Sequence, residues 1–319
     1  MLGQARPDSL FNLFTAVEGF ECINYDVANG PQFDIVDDVV WDTIYTAVTS
    51  LEYVGCVACP PCSTYSQLHS LPGPPPLRDA TGPGRYGRSN LLPPVKERVR
   101  KHTLITTRVA QILTHFTRLK VPWIFEAPWA TDNQVSALNL DEFVNLLAMH
   151  GVTKTKGFQC PFGGKSPKPS AWVSMGVELC SMPNGCPHPK RKWQNQRTGE
   201  VVHKPHAPTS GKDVYLLENP LTPWEPSKSS TSQPWAAHKL AAYPPLLNRF
   251  LVAALRIGVY NNLQWMRRKV DAESSKPTTT RFQYSHGFAE KIVWRDPLRG
   301  ALQPTEKEAA DELAINKIS

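Results

Sequence analysis

The sequence predicts an α/β fold, a sheet with helices on both faces, and three observations predict it. Tyr53-Val54-Gly55-Cys56-Val57-Ala58 and Val121-Pro122-Trp123-Ile124-Phe125 are short apolar runs bounded by turn formers, the pattern of strands buried on both sides. Between them, Lys96 to Lys120 repeats apolar residues at helical spacing, with Val99, Leu104, Ile105, Val109, Ile112, Leu113 and Phe116 as a stripe to cover a sheet. Asp26, Cys62 and Glu126 each follow a predicted strand, at the edge where open α/β sheets take their ligands.

In chain order, Ser9 to Glu18 reads as a helix and Phe20 to Tyr25 as a strand that Asp26 closes. Asp34 lies near a further strand end. After Ala58 comes Cys59-Pro60-Pro61-Cys62-Ser63-Thr64-Tyr65-Ser66. A proline cannot donate to a ladder and holds the residue before it extended, so Pro60 and Pro61 end the strand and set Cys62 on a stiff loop. Beyond the long helix, Val121 to Phe125 re-enters the sheet and Glu126-Ala127-Pro128 follows. Gly157 to Ser170 is a further strand and loop, and Tyr243-Pro244-Pro245 opens a helix through Leu255. Asn261 to Lys269 extends or follows that helix, Asp271 to Thr280 reads as a polar linker, and Pro304 to Ile318 as a short amphipathic helix. This divides the chain into a core (1–180), an insertion (181–235), a closing helix (236–256) and a linker with tail (257–319).

Composition narrows the class. With 41% hydrophobic residues and nine tryptophans in 319, wholesale disorder is excluded and a substantial core is expected. No stretch approaches a membrane span and the N-terminus lacks a charged start with an apolar run, so an intracellular protein of nucleus or cytoplasm, with no membrane partner, is expected. Seven cysteines, an odd number, are expected to stay reduced. The net charge of +7 favours a polyanionic partner. Positive charge gathers in Arg78 to Lys120 and in Pro187 to Lys204. There Lys190-Arg191-Lys192-Trp193-Gln194-Asn195-Gln196-Arg197 mixes cations, an aromatic and amides suited to phosphates and bases, a solvated loop being the alternative. The Pro, Ser, Thr and Lys of 181–235 predict a long loop rather than a folded unit.

Pro60-Pro61-Cys62-Ser63-Thr64-Tyr65-Ser66 resembles the nucleophile loop of cytosine-5 DNA methyltransferases. With Gly73-Pro74-Pro75-Pro76-Leu77-Arg78-Asp79 it is more similar still to methyltransferase-like proteins of mobile elements and phages. The resemblance implies a Rossmann-like class I methyltransferase sheet, S-adenosylmethionine as cofactor, and DNA as substrate with RNA as the alternative. It implies that Cys62 attacks carbon 6 of a flipped cytosine. Glu126 stands in the place of the family's Glu-Asn-Val or Glu-Asn-Pro motif, with Ala127 for the asparagine, and would contact N3 and assist the attack. On the cofactor side, Asp26 would hold the ribose hydroxyls, with Gly3 of Gly3-Gln4-Ala5-Arg6-Pro7-Asp8, Asp34 and Pro60 completing the site. Ser63, Ser66, Arg78, Gln159 and Lys168 would face the substrate, the last two through Gln-x-x-Phe-Gly and Lys-Pro-Ser patterns. Residues 181–235 take the place of a target-reading insertion. The buried first strand expected before the glycine loop is missing ahead of Gly3, which predicts either a late start or a decayed, non-catalytic nucleic-acid-binding relative.

A thiol attacks as its thiolate, so a cation must lower its pKa, and Arg6, Arg78, Arg85 and Arg88 are the candidates. Taken singly, the motif residues have ordinary explanations: a turn with a buried thiol for Cys62, a helix cap or turn for Asp26, a strand-end charge for Glu126. Cys56, Cys59 and Cys62 have ligand-like spacing, but strand alternation separates the first two and a fourth ligand is missing. Cys160, Cys180, Cys186 and His188 offer better zinc chemistry in Cys-x5-Cys-x-His. Their spacing misses the common patterns, a reduced loop is the alternative, and no metal is assigned. A zinc deaminase would need His-x-Glu with Pro-Cys-x-x-Cys, and neither occurs.

Overall fold

The computed structural model describes residues 9–16, 20–65, 76–131, 133–164, 168–195, 201–204, 214–216 and 243–274. Ser9 accepts from the Asn12 amide and starts α1 (Leu10–Thr15), and Asp37 accepts from the amides of Val39 and Val40 and starts α2 (Asp38–Thr49). After β1 (Cys56–Ala58), α3 (Pro93–Leu119) opens on two prolines, where a missing N–H costs nothing. It ends at Lys120, whose φ of 60° lets the Val121 amide reach Phe116 O at 2.9 Å. β2 (Trp123–Pro128), α4 (Asp141–Leu147), β3 (Val152–Phe158) and β4 (Pro169–Met175) follow.

The four strands form one mixed sheet in the order β1-β2-β4-β3. β1 and β2 are parallel, and α3 lies in the crossover that parallel strands require. β4 runs antiparallel to both its neighbours. Alternation along β2 sends Trp123, Phe125 and Ala127 to one face, where they pack with Val48 of α2, Leu113 and Phe116 of α3 and Phe143 of α4. Ile124 of β2 and Trp172 of β4 point the other way, onto Leu10 of α1 and Leu247, Leu251, Leu255 and Val259 of α5 (Pro245–Ser274). Helices therefore cover both faces, as predicted. α5 crosses close enough that a Cβ on Gly258 would collide with the Gly176 carbonyl.

Four expectations are corrected. Phe20 to Tyr25 is not a strand: its alternate positions share no buried face, with Ile23 46% exposed, so pairing would bury nothing in return for ordering it. No strand ends near Asp34, and among the described residues none precedes β1. The closing helix does not stop near residue 256 but runs to Ser274, taking in the start of the expected linker. The insertion is not merely a loop. β5 (Arg191–Asn195), β6 (Val201–Lys204) and β7 (Val214–Leu216) form an antiparallel sheet in the order β6-β5-β7. Residues 275–319, with the expected terminal helix, lie outside the described residues.

Candidate functional site

Period-two alternation puts Glu126 on the same face as Ile124, the α5 side. In the β2–β4 register it stands opposite Trp172, with Ser170 two residues away on the same side. Ser170 Oγ donates to Glu126 Oε1 at 2.6 Å, and Gln159 Nε2 donates to Ser170 Oγ at 3.5 Å. All three are buried, Glu126 only 5% exposed. Cys59 continues the alternation of Val57 onto this face and accepts from Tyr243 Oη at 3.2 Å, and the Glu126 charge, after burial and Cys59, helps to raise the Tyr243 pKa. Cys56 packs on the opposite face, as alternation requires.

The residue after Cys62 opens a single 3-10 turn, Ser63–Tyr65, in which the Tyr65 amide reaches Cys62 O at 2.9 Å. Ser63 is exposed, while Thr64 and Tyr65 are buried. Burial pushes the Cys62 thiol above its ordinary pKa, the Glu126 charge pushes it further, and Lys168 pulls it back. Cys59 feels the same charges and, chiefly through burial, is pushed up to about 12. Lys168 sits at φ 29°, a left-handed conformation rare for a non-glycine and unusual before a proline, with Nζ 5.2 Å from the Tyr243 ring centroid. The cation of this site is therefore Lys168.

That corrects the expected set of arginines. Arg78 is 1% exposed and spends its guanidinium inside the protein. Nη2 donates to Thr64 Oγ1 (3.0 Å) and Val99 O (3.1 Å), Nη1 to Thr103 Oγ1 (2.9 Å) and Arg85 O (3.0 Å), and the group lies 3.9 Å over the Tyr65 ring. It pins the Cys62–Tyr65 loop from within and does not face outward. Arg85 pairs with Asp141 and Arg88 with Asp79. Beside the pinned loop, His102 Nδ1 lies 3.2 Å from Thr64 Oγ1; burial, then Arg78 and Arg98, lower its pKa to about 4, so it is neutral at pH 7.

The cofactor-side residues do not converge in the same way. Asp26 caps the 3-10 turn Val27–Asn29, its Oδ1 accepting from the Ala28 amide at 2.9 Å, which is the ordinary capping role. Asp34 Oδ1 accepts from the Val36 amide at 3.0 Å, in a turn held by Arg108, which donates to Ile35 O, Val36 O and Asp37 O and pairs with Asp38. Pro60 is half-buried between β1 and Cys62. Gly3, Arg6 and Ser66 lie outside the described residues.

Sequence reasoning missed Cys59, Ser170 and Tyr243. Ser170 ends the Lys-Pro-Ser pattern and Tyr243 precedes Pro244-Pro245, but spacing carries no sign that both meet Glu126. No family model, curated protein or solved structure matches this chain. No described helix is long and apolar enough to cross a membrane.

Proposed function

We propose that this chain is a cytosine-5 methyltransferase-like DNA-binding protein of Rossmann-like build, in which Cys62 adds reversibly to carbon 6 of a flipped cytosine. The observation that supports it is the convergence of Cys62, Glu126, Lys168 and Gln159 beyond the carboxyl end of β1 and in the carboxyl-terminal half of its parallel neighbour β2, in the chain order the resemblance implies. In the resting site Cys62 is a thiol. Its proton passes to Glu126, which removes the charge that had disfavoured the thiolate, and Glu126 then hands that proton to N3 of the base. The S–C6 bond forms, the C5–C6 pair moves into C4–C5, and the C4–N3 pair takes the proton at N3. Reversal releases cytosine and restores the thiol.

Methyl transfer to carbon 5 would need S-adenosylmethionine, and two of the residues the resemblance offers for it, Asp26 and Asp34, do not fit. The Asp26 and Asp34 carboxylates cap local turns, and no strand carries either of them. The addition and its reversal need only Cys62 and Glu126.

The test uses duplex DNA with 2-pyrimidinone at one cytosine position, an electrophile at carbon 6, followed by denaturing electrophoresis. The full chain is expected to form an adduct without S-adenosylmethionine and Cys62→Ala to form none while still binding DNA. Calorimetry with S-adenosylmethionine separates the stronger reading: binding that Asp26→Ala abolishes would establish a methyltransferase. An adduct that survives Cys62→Ala, or no DNA binding at any salt concentration, would overturn the proposal.

A further inference from the structure

The four residues with zinc-like chemistry, Cys160, Cys180, Cys186 and His188, do not all assemble. Cys180 is exposed and its Sγ donates to Glu178 Oε1 at 3.1 Å. Cys160, Cys186 and His188 do come together, with one donor atom from each lying within 4.8 Å of the others. Cys186 Sγ is 3.5 Å from His188 Nδ1. A tetrahedral zinc with Zn–S about 2.3 Å and Zn–N about 2.0 Å sets its ligand atoms roughly 3.5–3.8 Å apart, so the cluster is close to the size of a coordination sphere.

The backbone explains why these residues meet. Cys160 begins the 3-10 turn Cys160–Phe162 directly after β3, and Gly163, at φ 87°, closes that turn so that the Gly164 amide returns to Gln159 O. The segment after β4 is drawn to the same place, for the Phe158 amide donates to Pro183 O at 3.0 Å and Met182 is buried against the α5 side of the sheet. Cys160 is buried, Cys186 half-buried and His188 exposed, which leaves one side of the cluster open to water.

We propose that Cys160, Cys186 and His188 bind one zinc ion, with water in the fourth position. The two thiols release their protons to solvent on binding and the imidazole binds neutral. The ion ties the turn carrying Gln159, which donates towards the Ser170–Glu126 pair, to the segment that leads into β5 (Arg191–Asn195). This does not depend on the proposed chemistry of Cys62.

The experiment titrates cobalt(II) and then zinc into the reduced, metal-stripped full chain. Expected are one equivalent of cobalt with the visible bands of a tetrahedral thiolate site, and displacement by one equivalent of zinc. Cys186→Ser and His188→Ala, at the less buried positions, should each weaken binding at least tenfold with an unchanged far-ultraviolet dichroism spectrum. Cys180→Ser should bind as the parent does. No stoichiometric uptake, binding that survives Cys186→Ser and His188→Ala, equal loss in Cys180→Ser, or a Cys160–Cys186 disulfide that persists under reductant would each overturn the assignment.

Discussion

The two sides of the expected ligand edge are built from similar residues and reach opposite ends. Cys62 on the loop after β1 and Glu126 inside the neighbouring strand β2 share one place, where a hydrogen bond from Ser170 and the charge of Lys168 converge. In residues 20–37, Asp26 and Asp34 have no strand to carry them, and each carboxylate turns back onto its own backbone. A carboxylate at a chain reversal caps the nearest amide unless a sheet holds it out; the sheet, more than the residue type, separates a site from a turn.

The largest predicted effect sharpens that contrast. Cys62→Ala should remove the pyrimidinone adduct completely, whereas Asp26→Ala should leave its yield unchanged, as read on the same denaturing gel. Glu126→Gln keeps a hydrogen-bonding group but cannot carry the proton to N3, and should slow adduct formation by roughly 10²-fold or more in a time course. Arg78→Ala should cost about 3 kcal/mol, because Thr64 and the Val99 and Arg85 carbonyls lose a buried donor; urea unfolding measures it.

The electrostatic comparison is finer. Since burial and Glu126 raise the Cys62 pKa, its alkylation by iodoacetamide, followed by peptide mass spectrometry, should be slow at neutral pH and rise through the alkaline range. Glu126→Gln removes the charge that raises the pKa and should move that rise to lower pH. Lys168→Ala removes the charge that lowers it and should move the rise to higher pH. The smallest effect is expected from Asp26→Ala on stability, about 1 kcal/mol or less for one turn cap. A loss comparable to that of Arg78→Ala would mean that Asp26 supports more than its own turn.

Much of the core was legible in the sequence. Part of the α3 stripe (Val99, Ile112, Leu113 and Phe116 are buried, whereas Leu104 and Ile105 join neither core), the apolar runs of β1 and β2 and the proline stop before Cys62 are local signals, since each follows from a period or a backbone restriction within a few residues. The β5 segment was legible as basic but not as a strand. Its partners are β6 and β7, and composition does not show which distant segments will share a ladder.

By itself the sequence determined the α/β alternation, the strand end that precedes Cys62, and a basic chain of 319 residues; it expected Glu126 to follow a strand, and the structure sets Glu126 inside β2, which pairing with β4 carries on to Pro128. Only the tertiary structure decided that Arg78 turns inward while Lys168 supplies the cation, that Tyr243 reaches Cys59, and that Cys160 meets Cys186 and His188 without Cys180. Periodicity fixes which way a side chain points from its own element. Which charge, donor or thiol it meets depends on how separate elements pack, and no local pattern encodes that.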